Sequence, residues 1–592
     1  MFLSVGRSMA ISLYGNSGAR RPHLGIINIK EDLPMNRTPT RVLSVLTAGA
    51  LLLGVLAGCD GGGQPAASAA PSGGQASSSF QEGTSAQRLA ADTTAEEDKY
   101  GGTMRLNFNG ATNSLDPAQF FTNQNYVPGY HIYESPVQVA DDGTVWAGVC
   151  EYEMSEDNLQ LTLTVRDGVK FHNGDTVDVN DVVASIERFL AYSTTGQANF
   201  GDYIVSTEVV DDMTVVYTLS EVAPIALLTI GELKGGCKVM PAEIAQAHMD
   251  SYITDDSEII GTGPYMLESW NRETDLTLTR LEDYVPFESG GTGPAAAKHA
   301  YFDKIYCSVA SDQTARANGM IGGVFDYSTS ILTSMASQLE AAGCWSDKDW
   351  NGWSPTIVFN LSDANSDSIV QDVNFRRAVR ACLDANQILL ATKTDPTQYA
   401  VDGCPMMPSS PYYNDILNQN MGQDLAKAQE YLDASGYNGE TIRWWCADSD
   451  SYYTTALPAS EYLKAIGVNV DLQLMDVTTY EASYNDPNCS DFDICCRETQ
   501  KSYLHPLLTQ FVSGYQLWDS PERTEIINRL GSTAAGSEES IQAFQDFCTL
   551  LDDQVPYIIL GDFGTVCWYS ADMIPDRQGV DMYWWNSYFK AD

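Results

Sequence analysis

Residues 457–477, LPASEYLKAIGVNVDLQLMDV, change their hydrophobic period halfway. An amphipathic helical stretch stops at Gly467, after which Val468, Val470, Leu472 and Leu474 alternate as the residues of a strand do. Helix, glycine, strand is the second half of a βαβ unit, in which a helix covers the sheet between parallel strands. The same grammar recurs at DQTARANGMIGGVFDY (312–327) and around NFRRAVRACLDANQIL (374–389). The chain is therefore expected to form α/β lobes and not a sandwich or a bundle. No internal repeat of short period is visible.

A second pattern lies at 159–190, LQLTLTVRDGVKFHNGDTVDVNDVVASIERFL. Apolar residues at 159, 161, 163 and 165 read as a strand that turns at Asp167-Gly168, with a further turn at Asn173-Gly174. Asn180-Asp181 stands where a cap would precede the helical period of VVASIERFL.

The amino-terminal part reads as targeting. VLSVLTAGALLLGVLAG (42–58) is an apolar run of seventeen residues behind Arg37 and Arg41, short for a spanning helix and suited to a secretory signal. Leu56-Ala57-Gly58-Cys59 resembles a bacterial lipobox, which makes Cys59 the expected lipidation site and membrane anchor. Met35 begins a more usual signal than Met1, so residues 1–34 are expected to lie outside the folded domain. Residues 59–99, rich in Gly, Ala, Ser and Gln, are expected to be a flexible tether, with the body starting near Tyr100.

About 490 residues remain, too many for one hydrophobic core, so two or three lobes are expected. The formal charge is −45, and residues 1–58 carry six Lys or Arg against two Asp or Glu, which leaves the rest near −49. Such acidity repels phosphate backbones and excludes nucleic-acid binding. Of thirteen cysteines, twelve remain beyond Cys59, and disulfides or buried thiols are expected for them. Cys495-Cys496 has no Cys-x-x-Cys or spaced Cys/His set around it, so no metal and no other cofactor is expected. The acidic turn around Asp363, Asn365 and Asp367 has alternating oxygen ligands but lacks the glycine and final glutamate of a calcium loop. His172 has no nucleophile nearby in sequence. No serine-hydrolase elbow, zinc-protease helix, phosphate loop or dinucleotide fingerprint is present, so catalysis has no support; a secreted hydrolase using paired acids remains the rival class.

LTLTVRDGVKFHNGDTVDVNDVVASIERF resembles the signature of the family-5 extracytoplasmic solute-binding proteins, the dipeptide- and oligopeptide-binding proteins of ABC importers. GGTMRLNFNGATNSLDPAQF (101–120), IIGTGPYMLESWNRETDLTLTRLEDY (259–284), VFNLSDANSDSIVQDVNFRRAVRACLDANQIL (358–389) and LKAIGVNVDLQLMDVTTYEA (463–482) follow in that family's order. The resemblance implies a two-lobed clamp of the periplasmic-binding-protein type (class II, cluster C) with an extra subdomain on the first lobe. Lobe I would comprise 100–140, 256–358 and 546–592, the subdomain 141–255, and lobe II 359–545. It further implies a monomeric, non-enzymatic, extracytoplasmic receptor, lipid-anchored through Cys59, that takes a peptide or another small solute to a membrane permease and its ATPase. Reporting to a sensor instead is the alternative.

The resemblance also implies site residues. In peptide-binding relatives a lobe II strand of the form Phe-Asp, then Gly-Trp, then Asp-Tyr and a later proline walls the pocket, and its second Asp holds the peptide ammonium. Laid on FDICCRETQKSYLHP (492–506), the pattern puts Ser502 at that Asp, Tyr503 after it, and Glu498-Thr499 at Gly-Trp. Cys496, Arg497, Glu498, Thr499, Gln500, Ser502 and Tyr503 become the expected pocket wall, without its amine anchor. Because a charge-assisted hydrogen bond to a buried ammonium is worth about 1.5–3 kcal/mol, either Glu498 substitutes or the ligand is not an ordinary peptide; Arg497 or Lys501 would instead meet a carboxylate. Tyr480 is implied as an aromatic contact, Phe121, Thr122 and Asn123 as a first-lobe contact loop, and Asp562 and Phe563 as contacts where the chain re-enters lobe I.

Overall fold

A computed structural model describes residues 84–590 apart from 121, 351, 394, 516 and 577–581. The apolar run, the lipobox and Cys59 lie outside the described residues. Ordered structure begins ahead of Tyr100: a helix at Thr84–Ala91 sets the Arg88 guanidinium 4.3 Å from the Trp345 ring centre, and the Ser85 amide donates to Asp347 at 2.8 Å. These partners are far along the chain, so local composition could not reveal them.

Two sheets organise the body. The first runs in the order Trp345–Trp350, Asp562–Tyr569, Tyr327–Thr329, Thr103–Phe108, Lys304–Val309, Asp275–Arg280, Tyr265–Asn271, with Tyr399–Ala400 pairing onto Asp562–Tyr569. The second runs Asn469–Met475, Thr441–Ala447, Ile494–Gln500, Trp353–Phe359, Tyr557–Ile559. Both mix parallel and antiparallel neighbours and carry helices, so the α/β reading holds. A smaller antiparallel sheet, Cys150–Met154, Gln160–Val165, Thr214–Leu219, Ile204–Val209, lies within the stretch 141–255. Its inward residues Leu161, Leu163 and Val165 pack with Val182 and Ile186 of the helix Val179–Tyr192. That helix is capped by Asp178 and not by the Asn180-Asp181 pair. The Asp178 carboxylate accepts from the Asn180 and Asp181 amides, and Asp181 returns a carboxylate to the Asp178 amide.

The chain passes between the two sheets at neighbouring places. Trp345–Trp350 belongs to the first and Trp353–Phe359 to the second; Tyr557–Ile559 belongs to the second and Asp562–Tyr569 to the first. The sheet changes thus fall before 353 and after 559, compared with the limits of 359 and 546 read from the sequence. Gly352 sits at φ +72°, and a Cβ on Gly561 would stand 2.1 Å from the Ala400 carbonyl oxygen, so both passages use a glycine for steric reasons.

The helix-Gly-strand grammar fares unevenly. It appears as Asp450–Ala465 with Asn469–Met475, and as Gln313–Ile321 with Tyr327–Thr329. Residues 374–389 instead fall in two consecutive helices, Val373–Cys382 and Ala385–Lys393, because Leu383-Asp384 breaks the first and the apolar period resumes.

The small sheet's helix is tied to the first lobe by buried charge. Arg188 makes two bonds to Asp116, at 2.9 and 2.8 Å, with both side chains almost fully buried, and Asp116 also accepts from the Ile253 amide. Removing one partner of such a pair strands the other, so Arg188→Ala is expected to lower stability by about 3–5 kcal/mol. Lys304→Ala, which breaks a solvent-exposed pair with Glu268, should cost no more than about 1 kcal/mol. Urea unfolding of the two variants side by side checks the contrast.

Candidate functional site

In the first sheet, Thr103–Phe108 runs parallel to both Lys304–Val309 and Tyr327–Thr329. Open α/β sheets collect ligands at the carboxyl ends of such strands. There the structure has a cavity of about 290 Å³, lined among others by Asn107, Asn109, Thr122, Asn123, Gln124 and Arg316. Among the described residues lining it, Arg316 is the one that is charged.

The walls are built by specific contacts. Thr122 is the N-cap of the helix Asn123–Ile132, yet its hydroxyl makes no capping bond, so the positive end of the helix opens on the cavity. Gln124 Nε2 donates to Asn109 Oδ1 at 2.5 Å, Asn107 Nδ2 donates to the Tyr327 carbonyl at 3.2 Å, and the Tyr126 hydroxyl donates to Asn123 Oδ1. Arg316 gives Nη1 to the carbonyls of Ala310 and Ser311 and Nη2 to that of Ser330. Ser330 is a non-glycine at φ +54°, a left-handed conformation that the Arg316 bond helps to hold.

Thr122 and Asn123, which the resemblance implied as ligand contacts, line a cavity here, while Phe121 lies outside the described residues. Sequence reading missed Asn107, Asn109, Gln124 and Arg316. The signal was present in NFNG, where two asparagines two apart share one face of a strand end otherwise apolar.

In the second sheet, Ile494–Gln500 lies between Thr441–Ala447 and Trp353–Phe359. Its first residues are core. Ile494 and Cys496 pack with Trp444 and Cys446 on one side of the sheet, and Cys495 with Trp445, Tyr480 and Phe492 on the other. Cys496 is 1% exposed and its thiol is pushed up by burial, so in this structure it is packing and not a ligand contact. The twelve described cysteines are all free thiols, and all but Cys489 are buried.

Tyr480 is placed in the same core. It is fully buried, its hydroxyl donates to the Cys496 carbonyl, and its ring stands 5.4 Å from that of Tyr484. Thr499 is also buried, its hydroxyl 3.1 Å from the Tyr515 hydroxyl. Glu498 and Gln500 are half-buried at the strand end. Ser502 Oγ accepts the Leu504 amide at 3.0 Å and its carbonyl accepts the Met407 amide, so it shapes a turn. Tyr503 and Leu504 pack with Met407 against Val139, Ile225 and Leu228, joining the second lobe to the small subdomain.

His172, noted in the sequence, and His505, next to the second-lobe strand, are both held neutral by burial. Burial lowers His505 to about 3, with Nδ1 accepting the Leu507 amide, and lowers His172 to about 4, with its ring held between the Gly261 amide and the Gly263 carbonyl.

Lys501, the residue after the strand, is fully buried and not a surface charge. Its Nζ stands 2.8 Å from both Asp402 and Asp562, and Asp562 also accepts the Ser354 hydroxyl at 2.8 Å. Asp562 is thus committed inside the protein, and Phe563, 4% exposed with the Lys393 ammonium 4.3 Å from its ring centre, is packed beside it. Both were implied as ligand contacts; the structure makes them part of the passage between sheets.

Two carboxylates share one ammonium here. Burial, and secondarily the Asp402 charge, outweigh Lys501 and raise Asp562 to about 6. Burial alone would lower Lys501, but Asp402 and Asp562 hold it above its ordinary value. An acid raised on folding binds its proton more tightly in the native state. Its stabilising contribution is therefore full below about pH 4 and lost as pH rises through about 6. Melting temperatures from pH 4 to 7 should show this decline in the wild type and a flatter profile in Asp562→Asn.

A pair of α/β lobes joined by adjacent passages, with a polar cavity at the strand ends, is the architecture of a solute-binding clamp. Residues 140–512 match the bacterial extracellular solute-binding proteins, family 5 (middle), and the chain belongs to that family. It is similar to the glutathione-binding protein GsiB of Pectobacterium atrosepticum, 26% identical over 333 residues that cover 55% of this chain and 60% of that protein. The chain thus spans about three fifths of the length of that curated relative. It is also similar to the probable D,D-dipeptide-binding periplasmic protein DdpA of Escherichia coli, 28% identical over 408 residues covering 67% of this chain and 74% of that one. Among solved structures, the substrate-binding protein CtaP of Listeria monocytogenes shares the fold with a TM-score of 0.68 at 20% identity, over 83% of this chain and 100% of that one. The periplasmic binding protein DppA of Helicobacter pylori, in complex with the peptide STSA, does so at 0.65 and 18%, over 84% and 99%. The family consists of solute-binding proteins. No helix among the described residues is long and apolar enough to cross a membrane.

Proposed function

We propose that this protein is the receptor of an ABC importer, capturing a peptide or peptide-like small solute between its lobes and delivering it to a membrane permease and its ATPase. The observation that carries the reading is the polar cavity at the carboxyl ends of the first sheet's strands, beside two adjacent passages on which the second lobe can turn. The ligands named for its relatives, glutathione, D,D-dipeptides and the peptide STSA, support the class. Closure would bury the solute and opening would release it, with no covalent step. Thr122 and Asn123 contribute from lobe I, and Arg497, Glu498, Gln500 and Tyr503 from the end of the lobe II strand. The receptor works as a monomer outside the cytoplasm, held to the membrane by lipid on Cys59.

Native mass spectrometry of the exported protein tests this reading directly. One solute of small mass is expected to co-purify, and its removal by partial unfolding and refolding should increase the radius of gyration in small-angle scattering. Identical scattering with and without solute, or a protein that retains and rebinds nothing, would refute the clamp.

A further inference from the structure

Buried charge in this molecule is usually paired: Arg188 with Asp116, Lys298 with Glu134, Lys501 with two acids. Arg376 lacks an acid, but its guanidinium makes five hydrogen bonds to main-chain carbonyls. Arg497 is different. Its side chain is 6% exposed and makes one hydrogen bond, from Nη2 to Gln510 Oε1 at 2.9 Å, while Nη1 is buried without a partner. The titratable groups that bear on it are tyrosines and a cysteine, Tyr515, Tyr484, Cys495 and Tyr480, with no carboxylate among them.

The surroundings define what is missing. The guanidinium carbon lies 4.1 Å from the ring centre of Tyr484 and 5.0 Å from that of Tyr515, so aromatic rings flank it and hold its plane. An arginine has five N–H donors in a fixed fork, and the partner that matches such a fork is a planar acid with two oxygens. The parallel register Trp445↔Cys495 puts Arg497 level with Ala447, the last residue of its strand, which is the ligand-collecting end of an α/β sheet. Tyr484, directly after the helix Val477–Ser483, is half-buried and is the outer of the two rings.

Several of the acids nearby are already engaged. Asp493 is paired with Arg443, Asp402 and Asp562 share Lys501, and Glu498 acts on Lys393. The lobe I cavity brings Arg316 and no carboxylate. Glu481 accepts the Tyr452 hydroxyl at 3.1 Å and stands outside the pocket of rings around Arg497, only as a charge that bears on Tyr484 and Cys495. A carboxylate entering here would find the unpaired side of Arg497.

We propose that Arg497 is the recognition residue for a ligand carboxylate, so that the captured solute is an organic acid held by its carboxylate and not by an ammonium. This rests on the solute-binding reading above and narrows its substrate class. A peptide qualifies through its carboxyl end.

The test uses the exported protein and matched probes: short peptides, hydroxy acids and sugar acids, each as free acid and as primary amide, with the peptides also N-acetylated. Thermal shift finds the binders and calorimetry measures them. Binding is expected for free acids, to be unaffected by N-acetylation, and to weaken by about thirtyfold or more in the amides and in Arg497→Gln, with Arg497→Lys retaining part of it. Amides binding as well as acids, or Arg497→Gln binding within twofold of wild type, would overturn the carboxylate assignment and leave the clamp standing. The acid–amide comparison needs no variant, so it decides the matter even where a substitution disturbs folding. No binder in the whole panel, together with no co-purifying solute, would instead remove the solute-binding reading and this inference with it.

Discussion

One ammonium holds the passage between the lobes. Lys501 reaches Asp402 in the second lobe and Asp562 on the strand that returns to the first, while Ser354 on the outgoing strand bonds to the same Asp562. The Lys501 amide also donates to the carbonyl of Gly352, the residue before the outgoing strand. Both passages are therefore fastened to one buried charge. Breaking such a cluster by removing one member leaves an uncompensated charge and costs several kcal/mol, on the order of 3–5.

The same cluster explains a division of labour among acids. The chain has 78 Asp and Glu against 33 Lys and Arg, yet the acids near the cleft are spent on internal partners. Asp493 orients Arg443 beside the strand, Asp562 and Asp402 hold Lys501, and Glu134 holds Lys298. The first lobe's cavity is walled by amides and hydroxyls together with Leu106, Phe108, Val127, Met582 and Trp584, and by Arg316 as the charged group among its described lining residues. A large negative net charge acts at long range and is screened beyond about 8 Å at physiological salt. At contact distance, local groups and not the net charge set what a cavity such as that of the first lobe presents.

The side chains that the resemblance singled out divide between a cavity wall and the core. Thr122 and Asn123 line the cavity because the loop after the SLDP turn ends at an uncapped helix beside two strand ends. Tyr480, Cys496, Asp562 and Phe563 carry the right positions in the chain but are turned into the core or into the hinge cluster. In a strand, adjacent residues face opposite sides, so a pattern aligned without its sheet cannot say which side meets a ligand. Arg497, implied by the resemblance as pocket wall or carboxylate partner, proves buried with one nitrogen unpaired, which no local composition could reveal.

By itself the sequence determined the elements and their class. The period of 2 at 159–165, the helix-glycine-strand order at 457–477 and the glycines at the turns follow from short-range sterics and the burial of one face, and those are local properties. The tertiary structure alone decided which charges meet. Lys501 and Asp402 are separated by 99 residues and Arg188 and Asp116 by 72, and nothing in either neighbourhood names the other. Pairing across such distances is fixed by how sheets and helices stack, because desolvation makes each buried charge depend on the single partner that the fold brings within hydrogen-bond reach.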